Sequence, residues 1–180
     1  MITLEPGQAA SIDAANKPNK PTASFMLRHP AHLLAQGFGS GLAPWLPGTS
    51  GTLYAWLSFT LLTTRWPEIF TQRNWALIVG IGFFVGIWAC AKTSRDLGTS
   101  DHRSLVWDEI IGFWLVLLVL TPASGATQVW AFLWFRILDM AKPPPIAYFD
   151  RTFKGGFGVM IDDLVAAFCT LLLFALWRVF

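Results

Sequence analysis

The chain has 180 residues, 54% hydrophobic and only 13% charged, where a soluble globular domain carries roughly 25% charged residues. That composition excludes a disordered protein, and a formal net charge of +2 is too small for a nucleic-acid footprint, which needs basic residues massed on one face. Ten Trp and fifteen Phe suit a packed core or the wet edge of a membrane, and with so few charges a membrane protein is the leading class.

The first 24 residues mix Pro, Asn, Lys, Ser and Thr without an apolar run. Such a stretch buries too little surface to offset its ordering entropy, which predicts a disordered tail over 1–24. It lacks the apolar h-region and cleavage site of a secretory signal, so the expectation is that it stays cytoplasmic. Residues 25–36 suit a short amphipathic helix, followed by Gly37-Phe38-Gly39-Ser40-Gly41 and Pro47-Gly48-Thr49-Ser50-Gly51, which break regular structure twice.

Apolar segments follow at 52–64, 75–91, 110–120, 126–138 and 164–180, with polar connectors and no period-2 strand pattern. Each is shorter than the ~20 residues that cross a bilayer upright, so some must extend into their flanks or sit only partly in lipid. The expectation is an all-α, polytopic helical membrane domain over 25–180 with about four or five embedded helices. Cys90 and Cys169 lie inside apolar runs and read as small buried hydrophobes rather than a disulfide or metal clip.

Charge placement sets an orientation, because Lys and Arg collect in cytoplasmic loops. With five spans and the N-terminus inside, Lys17, Lys20, Arg28, Lys92, Arg95, Arg103, Arg136, Lys142, Arg151 and Lys154 fall on the inner side, and Arg65, Arg73 and Arg178 on the outer. The bias places every motif-bearing loop on one cytoplasmic face.

Eight of the eleven acids lie between 96 and 163: Asp96, Asp101, Asp108, Glu109, Asp139, Asp150, Asp162 and Asp163. Asp108-Glu109 and Asp162-Asp163 are expected at the mouths of apolar helices, where a carboxylate is costly unless paired or bound to a cation. Two acidic pairs can converge on one metal; alternatively each pair caps its own helix. An all-oxygen donor set with no cysteine suits a hard cation, Mg²⁺ before Zn²⁺, and Mg²⁺ commonly works with a phosphate.

Two stretches have the makings of a phosphate cradle. From Asp139 to Gly158 the chain reads DMAKPPPIAYFDRTFKGGFG, with Lys142, Arg151 and Lys154 beside Asp139 and Asp150; an ordinary positive-inside loop has the same look. Gly48-Thr49-Ser50-Gly51 opens a helix whose free amides suit a phosphate oxygen, or is simply a cap by Thr49 or Ser50. It is not a Walker loop. Cys90 to Arg95 is one residue too short for a phosphatase cysteine loop, and Gly39-Ser40-Gly41 is not a nucleophile elbow. His102 reads as a solvated loop residue or a general acid or base.

These pieces in this order resemble the phosphatidylglycerophosphatase A family. The blocks that carry the resemblance are GFGSGLAPWLPGTSGTL at 37–53, DHRSLVWDEIIGFW at 101–114 and FRILDMAKPPPIAYFDRTFKGGFGVMIDDLVA at 135–166. One departure is Pro144, where the family pattern is expected to carry Trp or another large residue between prolines. The resemblance implies a Mg²⁺-dependent phosphomonoesterase that hydrolyses the terminal phosphate of phosphatidylglycerophosphate. It implies Asp108, Glu109, Asp162 and Asp163 as metal or catalytic carboxylates, with Asp139, Lys142, Asp150, Arg151 and Lys154 in the signature connector.

The combined expectation is an enzyme of the bacterial inner membrane with a cytoplasmic active site. A phospholipid is the expected partner and nucleic acid is not. Asp108, Glu109, Asp139, Asp162 and Asp163 are the catalytic candidates; Gly48, Thr49, Ser50, Gly51, Lys142, Asp150, Arg151 and Lys154 are the substrate-binding ones. A metal-activated water is the preferred nucleophile over an aspartyl-phosphate route. The rivals are a phosphatase of another phospholipid, such as phosphatidic acid, and a cation-binding membrane transporter.

Overall fold

The computed structural model describes residues 21–99 and 102–179. The tail expected over 1–24 therefore lies mostly outside the described residues. Thr22, at its end, caps the first helix by accepting from the Phe25 amide at 3.2 Å.

The described residues are all-helical. In chain order they form α1 (Ala23–Met26), α2 (Pro30–Ala35), a 3-10 segment (Gly37–Leu42), α3 (Pro47–Arg65), α4 (Gln72–Leu97), α5 (Trp107–Leu120), α6 (Gly125–Ala141), α7 (Pro144–Thr152) and α8 (Gly155–Val179). The one helix expected over 25–36 is two, because Pro30 cannot continue α1 and instead opens α2 at its first position. The five apolar segments correspond to α3, α4, α5, α6 and α8; α3, α4 and α6 extend beyond them at both ends, and α5 and α8 at their starts. Thr71 and Ser124 accept amides at the starts of α4 and α6, and Gly98 closes α4 in the left-handed conformation.

Helix α5 is the hub. It packs against α3, α4, α6 and α8, and nine of its fourteen residues are buried, which makes it apolar on nearly every side. Phe59 of α3, Trp75 of α4, and Trp114 and Trp107 of α5 form a chain of ring contacts, stacked, tilted and edge-to-face in turn, with ring centroids 4.4, 5.3 and 5.7 Å apart. Each buried indole finds an acceptor. Trp75 donates to Thr63 Oγ1, Trp107 to the Gly82 carbonyl and Trp114 to the Ala55 carbonyl.

The helices around α5 turn apolar faces outward. Leu53, Leu57 and Leu61 on α3, Leu77, Ile81 and Phe84 on α4, and Leu172 and Leu176 on α8 are exposed at helical spacing. By length and composition, two helices among the described residues can cross a membrane: α4, of 26 residues, and the Gly155–Trp177 stretch of α8, of 23. That is fewer than the four or five expected. At 1.5 Å per residue the 14-residue α5 spans only about 21 Å, short of a bilayer's ~30 Å core. Its apolar character serves burial inside the bundle. The 19-residue α3 is diluted by Ser and Thr.

Candidate active site

The N-terminal ends of α3, α5 and α8 and the C-terminal ends of α4 and α6 meet at one end of the bundle, and the acidic residues gather there. Asp108 and Glu109 stand in the first turn of α5. Asp162 and Asp163, expected at a helix mouth, stand instead two turns inside α8, which starts at Gly155. They therefore cap nothing, and the capping alternative fails for this pair. Both are buried, at 7% and 3% exposure.

Asp108, Glu109 and Asp163 each offer an oxygen within 4.8 Å of the other two. Two helices that are neighbours in space but more than fifty residues apart in sequence supply them. Gly112 allows the approach, since its Cα faces the Asp163 carbonyl so closely that a Cβ would lie 3.1 Å from it. Asp108 Oδ1, Glu109 Oε2, Asp162 Oδ1 and Asp163 Oδ2 are buried without a hydrogen-bond partner. Buried carboxylate oxygens without a partner are costly, and an all-oxygen cluster of this kind fits a hard divalent ion.

Two basic side chains edge the cluster. Arg136, near the end of α6, places Nη1 2.7 Å from Asp139 Oδ2, 3.8 Å from Glu109 Oε1 and 3.4 Å from Thr52 Oγ1. Its Nε is buried and unpartnered. Lys142 follows α6 with φ of 42°, a left-handed residue that turns the chain so that Nζ reaches Asp150 Oδ1 at 2.6 Å and Asp162 Oδ2 at 2.7 Å. Burial works against the Lys142 charge, but the bonds to Asp150 and Asp162 outweigh it and raise its pKa above the usual lysine value. The same hydrogen bond holds Asp150 below the usual carboxylate range. Lys142 is thus a fixed cation and not a proton donor.

The start of α3 completes the site. Leu46 precedes it with φ of 50°, and no side chain caps the helix, so neither Thr49 nor Ser50 is a cap. Pro47 has no N–H, and helix geometry leaves the amides of Gly48 and Thr49 without intrahelical acceptors. Gly48 abuts the site so tightly that a Cβ there would lie 2.3 Å from Glu109 Oε1 and 3.0 Å from Arg136 Nη2. Gly51 serves packing instead, seated against Val106.

Of the expected site residues, the structure gathers Gly48, Asp108, Glu109, Asp139, Lys142, Asp150, Asp162 and Asp163 around one centre, with Thr49 next to Gly48 in the first turn of α3. Arg151 and Lys154 are exposed on its rim, Lys154 donating to the Asp150 carbonyl at 2.8 Å. The connector read as a loop is mostly helical, running from the end of α6 through α7, with Pro144 and Pro145 in its first turn, to the start of α8. His102 lies apart, bonded to Ser104 Oγ at 2.9 Å. Cys90 and Cys169 form no disulfide. Sequence reasoning missed Arg136, counting it only as an inner-side charge. The signal available was an arginine in an apolar helix three residues before Asp139, an i, i+3 ion pair.

A family profile described as phosphatidylglycerophosphatase A matches residues 33–178. The phosphatidylglycerophosphatase A of Escherichia coli strain K12 is 46% identical over 140 residues, 78% of each chain. That of Haemophilus influenzae is 41% identical over 159 residues, 88% of this chain and 95% of the relative. A Bacteroides thetaiotaomicron protein, provisionally named a phosphatidylinositol-3-phosphatase, is 38% identical over 152 residues, 81% of this chain and 92% of its own. No solved structure matches significantly. A profile covering most of the chain, and relatives at this identity over most of their length, establish that the chain belongs to the phosphatidylglycerophosphatase A family of phosphatases.

Proposed function

We propose that this enzyme hydrolyses the terminal phosphomonoester of phosphatidylglycerophosphate to phosphatidylglycerol and inorganic phosphate, with Mg²⁺ held by Asp108, Glu109 and Asp163 and flanked by Asp162. The observation that carries the reading is the buried carboxylate cluster with orphaned oxygens, set against an uncapped helix start and two fixed cations. Mg²⁺ bound there supplies the positive charge that a transferring phosphoryl group needs. The chain's own residues do the positioning. Arg136, tethered by Asp139, and Lys142, tethered by Asp150, face the phosphoryl oxygens, and the Gly48 and Thr49 amides add donors that need no reorganisation. In the overall reaction the P–O bond to the glycerol breaks, water oxygen replaces it on phosphorus, and the departing glycerol oxygen takes a proton.

The apolar exterior supports a protein seated in the bacterial inner membrane, with the site at the cytoplasmic interface, where the basic residues concentrate. Diacyl tails then stay in the leaflet while the headgroup enters the site. A different phospholipid monoester is the second reading, favoured by the name of the Bacteroides relative. Phosphate release by purified protein in uncharged detergent, with Mg²⁺ present, chelated and restored, tests the proposal. Release from phosphatidylglycerophosphate that stops on chelation and returns with Mg²⁺ is expected. Faster release from phosphatidic acid or a phosphoinositide favours the second reading, and release that survives chelation removes the metal.

A further inference from the structure

The proposed substrate carries two phosphates, the terminal monoester and, three carbons away, the phosphodiester that joins the glycerol to the lipid. The carboxylate cluster accounts for the first alone. Beside it, on the flank of α7, lies a second cavity of about 410 Å³ lined by Lys142, Pro144, Ala147, Tyr148, Arg151 and Thr152. Lys142 belongs to both compartments, since its Nζ is 2.7 Å from Asp162 and its side chain lines this cavity. An ammonium has three donors; Asp150 and Asp162 take two, which leaves one for a ligand. Arg151, in the last turn of α7, makes no ion pair among the described residues and offers a planar fork suited to phosphate oxygens. Of the remaining walls, Thr152 donates its hydroxyl to the Tyr148 carbonyl at 2.6 Å, and Pro144, Ala147 and the exposed Tyr148 suit the neighbouring glycerol and acyl carbons.

Resting on the function proposed above, we infer that this cavity receives the bridging phosphodiester and that Arg151 is the specificity-determining residue that distinguishes a lipid with two phosphates from one with a single phosphate. A ligand spanning both compartments crosses Lys142, whose ammonium sits between the two anionic groups. The diester carries one negative charge and no bond to be broken, so Arg151 contributes binding that is the same in the ground and transition states, and its loss acts on KM.

The two products separate the subsites. Phosphatidylglycerol keeps the diester and lacks the monoester, whereas inorganic phosphate mimics only the monoester. In uncharged detergent, Arg151→Ala is expected to raise KM for phosphatidylglycerophosphate and weaken inhibition by phosphatidylglycerol, each by about tenfold, the usual scale for one charge-assisted contact. Inhibition by inorganic phosphate and kcat should stay within about twofold of wild type, and Arg151→Lys should restore part of the loss. Equal weakening of both inhibitors, a loss confined to kcat, or no change overturns the assignment. If the wild-type enzyme releases no phosphate from phosphatidylglycerophosphate, the proposed function fails first; if it does and Arg151→Ala is silent, only this inference fails.

Discussion

Replacing Gly48 by alanine adds one methyl group to the start of α3, and the structure says where it goes. The new Cβ would stand 2.3 Å from Glu109 Oε1 and 3.0 Å from Arg136 Nη2, where ordinary contact begins at 3.4 Å. The Glu109 carboxylate must retreat by about 1 Å to regain that contact, and misplacement by about 1 Å at a reacting centre costs on the order of 100-fold in rate. Stability should hardly move, because both atoms are the far ends of flexible side chains and alanine suits a helix better than glycine by up to about 1 kcal/mol. The expected result is a variant with wild-type helicity and a Tm within about 3 °C, turnover reduced about 100-fold, and weaker Mg²⁺ binding by calorimetry. Gly80→Ala is the control, since a Cβ added at that position on α4 would meet nothing within 4 Å. Activity of Gly48→Ala within about threefold of wild type would refute the claim that the helix start and the carboxylate cluster form one site.

Asp163→Asn removes one of the three convergent carboxylates; phosphate release should fall at least about 100-fold and Mg²⁺ affinity at least about tenfold, with circular dichroism unchanged. Unaltered metal binding would remove Asp163 from the cluster. Gly156→Ala tests packing instead, because its Cβ would lie 2.0 Å from the Ile87 carbonyl oxygen and 2.8 Å from the Ala91 nitrogen, both backbone atoms that cannot swing away. Parting α8 from α4 should cost about 1–3 kcal/mol or more, visible as a lower Tm in detergent; an unchanged Tm contradicts the close helix contact. His32 supplies a pH test. It is buried between Thr93 Oγ1 and Asp96 Oδ2, each 3.0 Å from a ring nitrogen, and burial, only partly opposed by Asp96, lowers its pKa from 6.5. As pH falls the unfolded chain takes the proton first, so this contribution is complete above 6.5 and is lost as pH drops through the folded value. Thermal stability of wild type should therefore decline more between about pH 8 and about pH 5 than that of His32→Gln, and parallel curves would refute it.

The amino-acid sequence by itself determined the helical elements and the type of chemistry. Apolar runs without strand alternation, bounded by Gly, Pro and Ser or Thr caps, specify helices through local propensity, which needs no partner. The acidic doublets, the Gly48 helix start and the Asp139–Gly158 connector were legible for the same reason, since carboxylates and glycines in apolar surroundings stand out against composition. Only the tertiary structure decided which charges meet. That α5 is a sheathed hub follows from its neighbours, because an apolar helix reads alike whether protein or lipid surrounds it. Asp162 and Asp163 look like caps until α8 is seen to begin at Gly155, and α7 looks like a loop because its prolines are permitted in a first helical turn. Arg136 was invisible as a site residue, since its role lies in distances to Glu109, Asp139 and Thr52, on three different helices once its own is counted. Convergence of side chains remote in sequence is set by helix packing, and packing is a property of pairs of surfaces that no single segment encodes.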